Sequence, residues 1–250
     1  MADRHWLPNR PQTKRSLLLT LAAAVVVLAV AAFALVYFVL FPTSSPPKFA
    51  LAATTSAVPA APAKTGSSTL LAGDWTIAAG SEAGYRVREK LAFLPAQSQA
   101  VGRTSAITGA ATFSGSNSRL KVTKAAFVID VSTLKSDKSM RDEKIHTIGL
   151  ESDRYPKASF TLSEPVPLPA SALAGSVVSV PATGALTIHG ITKTKTIPLS
   201  MRVSTSRIEV VGSITFPWDE FGMTAPSVGG FVNVTNSATM EFDLKLDRQA

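Results

Sequence analysis

Three histidines and two pairs of adjacent charged residues are the places in this 250-residue chain where spacing could support chemistry. His5 lies close to the N-terminus, and His146 and His189 are far apart in sequence, with no second ligand three or four residues further on. A metal centre needs three or four ligands, so no metal is expected. Arg141-Asp142 has the composition of an acid/base pair, but neighbouring opposite charges on a helix ordinarily face solvent or brace a loop. Asp219-Glu220 offers two carboxylates, yet adjacent residues of a strand point to opposite faces, which disqualifies them for glycoside chemistry. The chain has no cysteine, which excludes disulfides, thiolate catalysis, a cysteine-bound zinc and a lipid-modified N-terminal cysteine. It has no nucleophile elbow, Walker loop, dinucleotide fingerprint or EF-hand loop. The expectation is a non-enzyme.

What the sequence does specify is shape. Beyond residue 70 the dominant period is two. Ala238, Met240, Phe242, Leu244 and Leu246 alternate with Thr239, Glu241, Asp243, Lys245 and Asp247, the pattern of a half-buried strand. Ile197 to Val203, Ile208 to Phe216 and Ala158 to Leu162 repeat it. Between Leu120 and Val131 the apolar phase switches near Ala125, which predicts a bulge or a stretch covered on both faces. Further strands are expected over 73–78, 84–90, 107–114, 177–189 and 231–235, with one helix over about 137–147 capped by Ser136 or Ser139. The reading is an all-β domain at 70–250: an extended antiparallel up-and-down barrel of about eight strands with one short helix, preferred over a sandwich. A barrel of that size is filled by its own side chains or holds one small ligand. Gly109, Ala111, Ala125, Gly184, Ala185 and Ala238 on the apolar faces leave room for an elongated apolar guest, or serve close packing.

The N-terminal part is of another kind. Leu17 to Phe41 has no charge, proline or glycine. As a helix it is about 37 Å long, enough to span a hydrocarbon core of about 30 Å. Arg4, Arg10, Lys14 and Arg15 precede it and only Lys48 follows closely, which orients residues 1–16 to the cytoplasm and the rest outside. The alternative is a signal peptide processed at Ala50-Leu51-Ala52, for which the apolar run is too long. Residues 42–69, with 22 of 28 positions Ala, Pro, Ser or Thr, read as a disordered linker. The net charge of +8 falls mostly on this N-terminal part. It is a topology signal, and no nucleic-acid partner is expected.

Several short motifs fall in one order: Trp75-Thr76-Ile77, Ile107-Thr108-Gly109, Phe127-Val128-Ile129-Asp130, Arg141-Asp142, Tyr155-Pro156-Lys157-Ala158-Ser159-Phe160, Gly184 to Lys193, and Trp218 to Met223. This set resembles the YceI-like polyisoprenoid-binding family over nearly the whole domain. The resemblance implies a lipocalin-like barrel, outside the cytoplasm, holding a long isoprenoid lipid or a quinone-like molecule in an apolar tunnel. A homodimer is compatible with it. The family's helix commonly reads Arg-Asp-x-His-Leu, whereas here Arg141-Asp142-Glu143-Lys144-Ile145 displaces His146. Alternation nominates Phe127, Ile129, Phe160, Leu186 and Ile188 for the tunnel lining, together with Met201, Ile214, Phe216 and Phe242. Arg141, His189 and Lys193 are nominated to meet a polar head at the mouth, although a structural ion pair of Arg141 with Asp142 or Asp130 competes.

Overall fold

The computed structural model describes residues 14–40, 45–51, 71–91, 97–116, 119–228 and 232–249. The basic tail around His5, Phe41 and most of the expected linker lie outside them. Residues 1–44 and 45–250 form separate units. In the first, helix α1 runs Lys14–Leu40. Its described side chains are Leu18, Leu19 and residues 21–32. These cover only part of the apolar run Leu17 to Phe41, and among the described residues no helix is long and apolar enough to cross a membrane.

The second unit is a closed antiparallel barrel. Its strands are β1 (Gly73–Ile77), β2 (Glu82–Leu91), β3 (Gln97–Thr104), β4 (Ile107–Ser116), β5 (Arg119–Asp130), β6 (Lys157–Leu162), β7 (Val166–Leu168), β8 (Val178–Ile188), β9 (Ile191–Val203), β10 (Arg207–Pro217), β11 (Ser227–Val228) and β12 (Val232–Arg248). The wall runs β1-β4-β5-β6-β8-β9-β10-β12 and returns to β1, eight positions in meander order. Strand β12 is long enough to serve two neighbours, pairing β1 at Leu246–Arg248 and β2 at Val232–Asp243. Between them the one proton of the buried Ser81 hydroxyl is shared between the carbonyls of Ala78 and Lys245 and its oxygen accepts from the Lys245 N–H, tying the β1–β2 connection to β12. β3 pairs β2 and, through Arg103, bridges Lys135, so β2 and β3 extend the wall beyond β12.

Alternation is what closes the ring. In β8, Val178, Val180, Ala182, Leu186 and Ile188 are buried, while Ser179 and Pro181 between them are exposed. The expected phase switch is a bulge: Phe113 pairs with Val122 and Thr112 with Lys124, leaving Thr123 as the extra residue. Closure decides for the barrel over the sandwich. It also adds β3, which the charged segment after Gly84 had concealed.

The helical connection differs from expectation in detail. Helix α2 covers Ser139–Lys144 and passes into a π-helical turn at Ile145–Gly149. Lys138, not a serine, is its N-cap, with no side-chain hydrogen bond. Ser136 instead donates its N–H and hydroxyl to Asp142, at 2.8 and 2.6 Å.

One wall segment is incomplete. β9 pairs β8 from Ile191 to Met201 but pairs β10 only from Leu199 to Val203. Pro198 has no N–H to offer β10, and pairing stops beside it. Trp218–Phe221, a 3-10 turn, follows β10, and its Glu220 forms an ion pair with Lys195 on the part of β9 that does not pair β10. Lys195 is therefore only 22% exposed.

Candidate functional site

Inward-facing residues of the barrel should be fully buried if the interior were filled. Phe127, Ile129, Phe160, Leu199 and Met240 are instead only half-buried, because they border empty space. A cavity of about 80 Å³ is bounded by Phe127, Ile129, Phe160, Leu162, Leu186, Leu199, Met201, Phe242 and neighbours. A second, of about 50 Å³, lies toward α2 and is bounded by Tyr85, Val131, Ile188, Phe216 and Ala238. Ile145 and Leu150 from the helical connection, with Trp218 and Met223, complete its wall. Ile129, Ala158 and Met240 border both cavities, so the two are neighbours with these side chains between them.

Glycines opposite phenylalanines make this room. A Cβ on Gly109 would stand 2.7 Å from the Phe127 ring, one on Gly184 2.5 Å from Phe160, and one on Gly212 2.5 Å from Phe242. Each ring lies down over a glycine instead of rising into the lumen. Ala111, Ala125 and Ala238 border the cavities, as their small size on apolar faces implies. Ala185 does not; it alternates with the inward-facing Leu186 and pairs with Thr161 and Thr194 on the outer face.

Eight of the nine nominated lining residues border a cavity: Phe127, Phe160, Leu186, Met201 and Phe242 the first, Ile188 and Phe216 the second, and Ile129 both. Ile214 is the ninth, and packs between the two apolar clusters without bordering either cavity. The nominated mouth residues are not brought together around the opening. Arg141 gives a two-pronged hydrogen bond to Glu89, at 2.8 and 3.0 Å, and pairs with Asp137. Burial opposes its charge, but these two carboxylates outweigh burial and raise its pKa. The expected partners are otherwise engaged, Asp130 by Lys157 and Asp142 by Ser136. His189 takes a left-handed conformation (φ +52°) in the β8–β9 turn, and its Nδ1–H donates to the Phe221 carbonyl at 3.1 Å. Its ring lies against Tyr155, and Glu151 approaches Nε2 at 3.3 Å but not in line for a hydrogen bond. Lys193 is exposed on the part of β9 that does not pair β10.

One residue bordering the second cavity that was not nominated carries a polar group. Tyr85 borders that cavity, is buried, and its hydroxyl has no surface open to it. Burial is the main cause that pushes its pKa well above the usual 10.0, with Arg141 pulling the other way, so it stays a neutral donor. Its only sequence signal was an aromatic placed in a charged strand. Among the described residues no group of His, Cys, Asp or Glu could hold a metal ion.

A protein-family model described as the YceI-like domain matches residues 75–246. The chain belongs to the YceI-like family. Solved structures agree on the fold. A polyisoprenoid binding domain from Saccharophagus degradans is 17% identical, with a TM-score of 0.52, 71% of this chain and 99% of that one covered. BcnA of Burkholderia cenocepacia is 19% identical, with a TM-score of 0.50, 68% of this chain and 98% of that one covered. A comparison with curated proteins found no match. The YceI-like match runs from Trp75 to Leu246, and so takes in the ring of eight strands and both cavities.

Proposed function

We propose that this YceI-like barrel binds a long apolar lipid of the isoprenoid class, without catalysis, and presents it outside the cytoplasm while α1 anchors the chain in the membrane. The observation that carries the reading is the apolar interior itself: two neighbouring cavities, walled in part by side chains that stay half-buried for want of anything to touch. Filling it with hydrocarbon contributes about 25 cal/mol per Å² of apolar surface removed from water, less the cost of ordering the chain. The description of the Saccharophagus domain as polyisoprenoid binding points to the same class. The cavities as they stand admit a short apolar segment. A longer one requires the side chains of Ile129, Ala158 and Met240, which border both cavities, to part.

Protein purified from its own host is expected to carry a prenyl lipid visible by native mass spectrometry. Phe160→Glu and Ile188→Glu should each lose most of it, and Lys124→Glu on the outer face should keep it. Because a charge in a closed apolar core can cost several kcal/mol, each variant's melting temperature is measured alongside. Lipid-free parent protein together with collapsed variants would mean a packed structural module. Topology has its own check: protease added to intact spheroplasts should remove the barrel, and full protection would refute the external placement.

A further inference from the structure

On a solvated barrel, residues that alternate with core positions face water. Arg86 and Glu241 alternate with the inward-facing Tyr85, Val87, Met240 and Phe242, yet they are 6% and 2% exposed. Two nearly buried charges on an outer wall are costly unless they are paired and further hydrogen-bonded. They are paired, with Arg86 Nε and Nη2 donating to Glu241 at 3.1 and 3.0 Å and Arg103 donating to the same carboxylate at 3.2 Å. What helps to cover them is a piece of the sequence that composition assigns to the linker.

Residues 45–51 lie along this face. The Pro46 carbonyl accepts from Arg86 at 2.8 Å and the Pro47 carbonyl from Arg103 at 2.6 Å. The Ser45 hydroxyl donates to the Gln99 carbonyl at 2.6 Å, and the Arg103 guanidinium lies 3.9 Å over the Phe49 ring. The chemistry is matched. Consecutive prolines have no N–H to satisfy, present their carbonyls outward, and lose little freedom when fixed in an extended form. Arginine forks supply donors to those carbonyls and a flat cation to the aromatic face.

We propose that the outer face of β2, β3 and β12 is a docking site for an extended diproline segment with an aromatic residue two positions on. Its resident occupant is Ser45–Leu51. The consequence is that Ser45–Leu51 belongs to the barrel unit and is not free linker.

Lys48, which is exposed, is followed by Phe49 and gives trypsin a cleavage site inside the docked segment. In the full-length chain held in detergent, the Lys48–Phe49 bond should be cut slowly. Arg103→Ala removes the Pro47 and Phe49 contacts from the barrel side, and Phe49→Ala removes one from the segment side without touching the barrel. Each should speed that cleavage about tenfold, with the barrel's melting temperature unchanged for Phe49→Ala. Equal cleavage rates in parent and Phe49→Ala protein, or a parent cut as fast as its urea-unfolded form, would overturn the proposal. Because the assay needs no bilayer, docking stands or falls separately from the membrane anchor.

Discussion

Arg141 does not take the role that the sequence suggested for it. The arginine looked like a ligand for a polar head, but its Nε and Nη2 are taken by Glu89 on β2 and its Nη1 by Asp137. Tyr85, placed between charges in sequence, is buried, with its hydroxyl closed off from the cavity that the residue borders. Its raised pKa has a consequence for stability. The folded chain holds the phenolic proton more tightly than the unfolded chain, so this contribution is fully present below pH 10.0 and is lost as pH rises toward the higher folded value. Tyr85→Phe should therefore flatten the alkaline arm of the melting-temperature profile above about pH 10. An unchanged alkaline arm would contradict the buried phenol.

At the scale of elements, the decisive feature is where strands give up contacts. Glycine opposite phenylalanine lets a ring lie along the wall, and this, as much as strand number, keeps the lumen open. Gly212 allows the cleanest test, since the nearest atoms to an added Cβ are the tips of the Phe242 and Leu199 side chains rather than backbone. Gly212→Ala should push Phe242 into the first cavity. Overpacking of this kind costs roughly 1–3 kcal/mol, so the protein should still fold, with clearly reduced lipid capacity. Undiminished capacity would show that the ring has another place to go. The same alteration at Gly184 would meet the Thr161 carbonyl at 2.4 Å and should fail by unfolding instead.

For the whole molecule, closure rests on a short strand. β1 joins β12 to β4, and its Trp75 is fully buried, donates its indole N–H to the Leu71 carbonyl at 3.1 Å and meets Phe113 edge-on. Trp75→Ala should cost about 3–5 kcal/mol in urea unfolding, as for other large core truncations, and lower a single cooperative transition rather than split it. A transition with unchanged midpoint would mean that the barrel does not need β1. The period-two pattern determined that residues 70–250 are predominantly β, where the β5 bulge lies, and eight residues that border a cavity out of nine nominated, because alternation is a local property set by the pleat. The motif order determined the family. Only the tertiary structure decided which half-buried faces border empty space, since a void depends on how far opposing side chains reach across the barrel. It also decided the partner of Arg141, which is 52 positions away in sequence. The same holds for the docked Ser45–Leu51 segment, whose composition reads as linker until the arginines of β2 and β3 are placed beside its carbonyls.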